Sequence, residues 1–270
     1  MKGMIKWLYR KMPNKVKIVL LSVYDAIYLK WQFFVKHRPY ISNVRNELKI
    51  AGITDVKPYM KKIWKVLPVF TQYYVGKCDG EKVFCKVCIN DSMEVAKREA
   101  KVLERIEKES LSLKEHVPSV IKLVSKKQYD IVVTEFIDGK SLFDLTLNIE
   151  DICSQMYEIL CELETLKIVH VDIRPSNFIV RDGVLCLIDF GLAYDKTMVQ
   201  EDCIYSKNTM PDIFSGVGCK KYNPEEYEYD DAYAMLRVLK DICPSLIRDY
   251  DEYWYKFNLK IGDNCICMRE

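Results

Sequence analysis

Ile168-Val169-His170-Val171-Asp172-Ile173-Arg174-Pro175-Ser176-Asn177, followed after a short interval by Leu187-Ile188-Asp189-Phe190-Gly191, is the stretch on which the fold turns. Between its halves lie the apolar run Phe178 to Val180, the turn pair Asp182-Gly183 and a second apolar run, Leu185 to Ile188. Apolar run, Asp-Gly, apolar run is the signature of a β-hairpin. A hairpin brings the residues at its open ends together, so Asp172 and Asn177 are expected beside Asp189. Taken singly these residues are unremarked: Asp172 could cap a turn, His170 could be a buried structural histidine, and Asn177 could hold a left-handed turn position. It is their joint spacing that asks for a chemical explanation.

Outward from the hairpin, the two sides differ in character. On the N-terminal side, Lys62 to Val66, Gln72 to Lys77 and Lys82 to Ile89 are rich in branched and aromatic residues, with Cys78-Asp79-Gly80 as a tight turn between the last two. Asp91-Ser92-Met93-Glu94 then opens a helix that continues through Val95, Ala96, Ala100, Leu103 and Ile106. Two further strands follow, Ser119 to Val124 and Tyr129 to Phe136. Beyond Gly139 helical spacing takes over, with Ile152, Met156, Ile159, Leu160 and Leu163 on one face of Ile149 to Leu166. The pattern predicts a sheet with one inserted helix, then a mainly helical part.

The quoted stretch resembles the catalytic loop of protein kinases, H-x-D-x-x-x-x-N, followed by D-F-G at the end of the next strand. The resemblance implies an α+β, bilobal protein-kinase-like fold, with a small β-sheet lobe with one helix over 57–137 and an abbreviated mainly helical lobe over 138–270; the charge and apolar spacing ahead of it are read as a basic amphipathic N-terminal helical arm over residues 1–56. It implies an ATP-dependent phosphotransferase. Asp172 would accept the proton of the acceptor hydroxyl, Asn177 and Asp189 would hold Mg2+, and Arg174 would stand where Ser/Thr-type kinases place a lysine facing the transferred phosphate. Pro175 favours the Ser/Thr type of loop over the Tyr type.

Upstream, Val83-Phe84-Cys85-Lys86 resembles V-A-I-K, making Lys86 the residue that grips the nucleotide phosphates. A lysine in so apolar a strand is costly to bury without anionic partners. Glu99, mid-helix among apolar neighbours, is expected to pair with it in preference to Glu94 in the capping turn. Val133-Thr134-Glu135-Phe136-Ile137-Asp138-Gly139 resembles the hinge, where the backbone of Glu135 and Ile137 would meet adenine. Downstream, Asn223-Pro224-Glu225 resembles the A-P-E end of the activation segment. Asp231 resembles the aspartate that opens the long helix and steadies the catalytic loop.

Three departures stand out. The slot for the glycine-rich phosphate loop reads Leu67-Pro68-Val69-Phe70-Thr71, without a glycine, so backbone amides approach phosphates less closely there. Val171 replaces the arginine of H-R-D, which predicts no activation through a phosphorylated loop docked on that residue. Only about 30 residues follow the Asp231 helix. Such shortening is also similar to lipopolysaccharide-core sugar kinases of bacteria, so the acceptor class expected is a protein Ser/Thr hydroxyl, with an envelope-glycan hydroxyl or a non-catalytic scaffold as alternatives.

Composition sets the wider frame. The chain has 270 residues, 49% hydrophobic and 30% charged, with 41 Lys plus Arg against 39 Asp plus Glu, which excludes disordered and low-complexity classes and a chain built to coat nucleic acid. The balance is regional: residues 1–40 carry nine basic residues and Asp25 alone, hence +8, and the remainder carries −6. Leu20, Val23, Tyr24, Ile27, Trp31 and Phe34 fall on one helical face, while Lys17, Asp25 and Lys30 interrupt any bilayer-spanning run. That face is read as packing on the following domain or, in residues 1–40, as peripheral contact with an anionic membrane. From His37-Arg38-Pro39 to Lys57-Pro58 the chain reads as a linker. Eleven cysteines without a secretion signal point to a reduced, cytoplasmic compartment. Cys85 and Cys88 read as buried thiols on a strand, not half of a zinc clip, and Cys265 and Cys267 are no better candidates.

Overall fold

The computed structural model describes residues 38–59, 71–89, 93–127, 129–142, 148–197, 221–225, 228–245 and 250–267. They divide into two compact units, 1–82 and 83–270. The amphipathic stretch 16–35, the strand expected at 62–66, the glycine-free slot at 67–70 and the helix cap at 91–92 lie outside the described residues.

In the first unit α1 (Arg38–Ile50) buries Val44 and Leu48, one turn apart, and leaves Asn43, Arg45, Asn46, Lys49 and Ile50 solvated. It ends at Gly52, whose φ of 86° lets its N–H reach Lys49 O at 2.9 Å while Ile53 N reaches Leu48 O at 2.8 Å. That pair of bonds satisfies carbonyls a helix end otherwise leaves open, and it needs the left-handed conformation glycine adopts without strain. β1 (Thr54–Pro58) then pairs antiparallel with β2 (Thr71–Cys78). The stretch read as a linker is therefore a helix and an edge strand. Its polar composition misled because, among its described side chains, Asn43–Ile50 bury only Val44 and Leu48, and a terminal Pro58 is tolerated at a strand edge. After β2, Asp79 and Gly80 adopt φ of 51° and 91°, the turn expected of Asp-Gly.

β3 (Glu81–Ile89) carries the chain into the second unit. α2 (Met93–Glu109) follows, then β4 (Val120–Ser125) and β5 (Tyr129–Glu135). β5 is the middle strand, antiparallel to both β3 and β4, with Lys86 opposite Val132. Cys88, Ala96, Ala100 and Val132 form the apolar contact between the strands and α2. Cys85 and Cys88 are buried free thiols.

After β6 (Lys140–Ser141), α3 (Ile149–Thr165) starts at Asn148, whose side chain accepts from Glu150 N, and buries the apolar face its spacing predicted. β7 (Ile168–Val169) leads into the catalytic-loop stretch, and β8 (Phe178–Arg181) and β9 (Val184–Leu187) form the hairpin around Asp182 and Gly183. Gln155 of α3 braces the turn, donating to Gly183 O at 2.9 Å and accepting from Leu185 N at 2.7 Å. β6 pairs with β8, and β10 (Tyr194–Asp195) pairs with β7. β11 (Glu228–Asp230), α4 (Asp231–Ile242), α5 (Asp251–Lys260) and β12 (Cys265–Cys267) complete the unit, with β12 antiparallel to β11. Phe178, Phe190 and Phe257 are fully buried in its core, each worth about 1.5–3 kcal/mol of burial. Among the described residues no helix is long and apolar enough to cross a membrane.

Candidate active site

The lysine of β3 is the first element of the site. Lys86 is flanked by the buried Cys85 and Val87, so its ammonium is drawn out of water by the strand that carries it. Its Nζ lies 2.8 Å from Glu99 Oε2 and 2.5 Å from Asp189 Oδ1. The Lys86 and Glu99 side chains are only 6% and 7% exposed, whereas Asp189 keeps 33% of its side chain open. Burial raises the Glu99 carboxyl, an effect the Lys86 ammonium offsets only in part. Burial acts on Asp189 in the same direction, but Lys86 and its hydrogen bond outweigh it and hold that carboxyl below the usual range. Glu94, the alternative partner, turns instead to Lys97 at 3.5 Å. Gly191 belongs to this cluster: a Cβ there would stand 2.5 Å from Val95 Cγ1 and 2.7 Å from Lys86 Nζ, so only glycine leaves the lysine its place.

The second element is the loop after β7. Asp231, at the first turn of α4, accepts from His170 N at 2.6 Å and from Val171 N at 3.2 Å. These bonds hold Val171 at φ 72°, a conformation costing a β-branched residue roughly 1–2 kcal/mol, with its side chain buried against Val169 and Tyr229. Burial pushes the Asp231 carboxyl up to about 7 against the pull of the two amides. His170 Nε2 meets Ile188 O at 3.1 Å and its ring stands edge-on to Phe190 at 4.6 Å. Burial lowers its pKa to about 4, so the imidazole is neutral at physiological pH and its contacts are structural.

Asp172 is 3% exposed. Asn177 Nδ2 donates to its backbone O at 2.8 Å and to its Oδ2 at 3.0 Å, and Arg174 Nη2 lies 3.1 Å from the same Oδ2. Oδ1 is buried without a hydrogen-bond partner among the described residues. Burial raises this carboxyl to about 6, more than Arg174 lowers it. Asn177 closes the single turn Pro175–Asn177, and its carbonyl accepts from Ile188 N at 2.9 Å, joining the two arms of the hairpin just ahead of Asp189.

The donor set fits a hard divalent cation. Asn177 and Asp189 offer amide and carboxylate oxygens on adjoining backbone, Asp189 engages Lys86 through Oδ1 and remains partly open, and Asp172 Oδ1 lacks a partner. Oxygen ligands of this kind are what Mg2+ takes. Of the residues expected at the site, Lys86, Glu99 and Asp189 are thus brought into contact, as are Asp172, Arg174 and Asn177. The hinge residues stand apart from the lysine. Glu135 lies opposite Val83, three residues along β3 from Lys86, about 10 Å at strand rise. Its N–H is used by Ser119 O at 2.9 Å and its carboxylate pairs with Arg181. Ile137 is buried just beyond the strand.

Two polar anchors around the site were not foreseen. Arg105 of α2 pairs with the buried Asp195 at 2.6 Å. Asp241 of α4 receives Tyr222 Oη at 2.7 Å and Lys221, so it fixes the backbone just ahead of Asn223-Pro224-Glu225. Neither pair has a local spacing from which sequence could find it.

The family model of the protein kinase domain matches residues 71–226, more than half of the chain. The chain belongs to the protein kinase family. Among relatives of this kinase domain, the KEOPS complex subunit Bud32 of Pyrococcus abyssi (strain GE5 / Orsay) is 35% identical over 107 residues, which cover 37% of this chain and 46% of that protein. A probable serine/threonine-protein kinase of Bacillus subtilis (strain 168), YbdM, is 37% identical over 95 residues, 32% of this chain and 36% of that protein. The chain thus spans less than half the length of either relative. A crystal structure of the BubR1 kinase domain superposes with a TM-score of 0.52 over 79% of this chain and 74% of that one at 19% identity. A likeness at that identity speaks to fold alone, and the α+β protein-kinase-like class expected from the sequence is the class found.

Proposed function

We propose that the protein is an Mg·ATP-dependent phosphotransferase acting on a hydroxyl, with protein Ser/Thr as the acceptor class. The observation that carries this reading is the pairing of a buried lysine with two carboxylates, one of which adjoins a second, incompletely bonded aspartate. In this reading Lys86, held by Glu99, grips the nucleotide phosphates. Asn177 and Asp189 hold Mg2+, which when bound draws charge from the phosphate oxygens. Asp172 orients the acceptor hydroxyl and takes its proton as the oxygen bonds to the γ-phosphorus and the bond to the β-phosphate oxygen breaks, releasing ADP. Arg174, beside Asp172 and 39% exposed, faces the transferred group. The backbone of Glu135 and Ile137 is assigned to adenine, with 57–137 as the nucleotide-side lobe and 138–270 as the acceptor-side lobe.

The Ser/Thr assignment draws on Pro175 and Arg174 in the loop and on the name of the Bacillus subtilis relative. A cytoplasmic site of action rests on the eleven cysteines, and contact of residues 1–40 with an anionic membrane rests on the +8 charge there, which predicts salt-sensitive binding to anionic but not neutral vesicles. The deciding experiment is transfer of labelled γ-phosphate from ATP to protein acceptors, using the wild type and Asp172→Asn. Loss of transfer with the fold retained is expected; undiminished transfer in the variant would sink the assignment.

A further inference from the structure

Six residues beyond Asp189 the chain pairs with β7, placing Asp195 opposite Ile168, two residues ahead of His170. The Asp195 side chain is 1% exposed. Its Oδ1 accepts from Thr197 N at 2.9 Å and from Thr197 Oγ1 at 2.6 Å, and its Oδ2 lies 2.6 Å from Arg105 Nη1. Arg105 is on α2, the helix that carries Glu99, about 9 Å farther along its axis. The same helix also sends Arg98 to Gly191 O at 3.4 Å. A helix tied at one point can turn about its own axis. Tied at two points, through Glu99 and Arg105, it cannot turn without separating a buried charge from its partner, which is strongly unfavourable. The residue before Asp172 is the buried Val171, so that position supplies no cation to hold the segment after Asp189.

We infer that the Arg105–Asp195 ion pair is a positioning device that locks α2 with Glu99 against Lys86, so that the nucleotide-gripping lysine is set by the fold itself. The inference rests on the phosphotransferase reading for its consequence, while the coupling from Asp195 to Lys86 can be measured without turnover. Lys86 Nζ is reached by an amine-acylating reagent only as its pairing with Glu99 loosens. In the full chain, Asp195→Asn should raise the acylation rate of Lys86, read by peptide mass spectrometry, about tenfold, and Arg105→Lys, which keeps the charge, should stay near wild type. Phosphotransfer assays should find a raised KM for ATP in Asp195→Asn, and Glu99→Gln combined with Asp195→Asn should be no worse than Glu99→Gln alone. If Asp195→Asn does not fold, Arg105→Met, which leaves Asp195 its bonds from Thr197, takes its place in the same measurements. Unchanged Lys86 acylation, or additive effects in the double variant, overturns the inference. A wild type without phosphotransfer activity would overturn the functional reading instead, and the acylation rates would still decide the ion pair.

Discussion

The two acidic centres of the kinase domain are built on opposite principles. Around Lys86 every charge has an opposite neighbour: Glu99 at 2.8 Å, Asp189 at 2.5 Å, and a glycine where any side chain would intrude. Around Asp172 one carboxylate oxygen is bonded twice and the other, among the described residues, not at all, and burial has raised the group to about 6. The first arrangement is charge-paired and fixes geometry. The second is left with unspent affinity for a proton, which is what a group that accepts one in the reaction requires.

The comparison can be broken at several points. The largest effect is expected from Lys86→Met, which strands two carboxylates: a loss of about 3–5 kcal/mol of stability, measured by urea denaturation, together with the loss of nucleotide-induced thermal stabilisation. A loss below about 1 kcal/mol would mean the cluster is not the charge-paired centre described. Asp172→Asn should separate activity from stability. Transfer falls by about 10²–10⁴, whereas the neutral-pH urea midpoint holds or rises, because a charge that burial disfavours has been removed.

The pH dependence follows from the same group. Its folded pKa of about 6 exceeds the 3.8 of an ordinary aspartate, so the native state binds more protons between those values. Its contribution to stability therefore falls as pH rises through that window, by up to about 3 kcal/mol. The transfer rate should do the opposite, declining as pH drops through about 6, where Asp172 becomes protonated; a rate flat from pH 7.5 to 5 would remove Asp172 from the base role. The smallest effect is expected from Arg174→Lys. The charge survives and the partly exposed pair with Asp172 is weak, so kcat should fall only about threefold and stability should stay within about 0.5 kcal/mol of wild type.

What sequence could reveal divides along the same line as the chemistry. Asp172, Asn177 and Asp189 were legible because their spacing around one hairpin resembles the kinase catalytic loop and D-F-G, and Lys86 because it resembles the V-A-I-K lysine in an apolar strand where a charge is conspicuous. Glu99 was separable from Glu94 by helix position alone, and Asp231 by its place at the start of a helix. Arg105 with Asp195, and Tyr222 with Asp241, were not legible, since each joins residues far apart in the chain whose types are ordinary at their own positions. The stretch Arg38–Ile50 read as linker for a different reason: among its described side chains only Val44 and Leu48 are buried, too sparse to register as periodic.

The separation of Lys86 from Asp189, 103 residues along the chain, has a consequence for how the molecule comes into being. The hairpin closes a short loop, which chains do in about microseconds, whereas a contact spanning that distance waits for the loop-closure entropy to be met by the rest of the core. The Asp172 side of the site is thus expected to form early and the Lys86–Asp189 contact late. Pulse-labelled refolding should find amides of Phe178–Arg181 protected before the Lys86 amine is shielded from acylation; the reverse order would refute it. A chain caught half-folded would hold its aspartates in register and yet be unable to hold nucleotide.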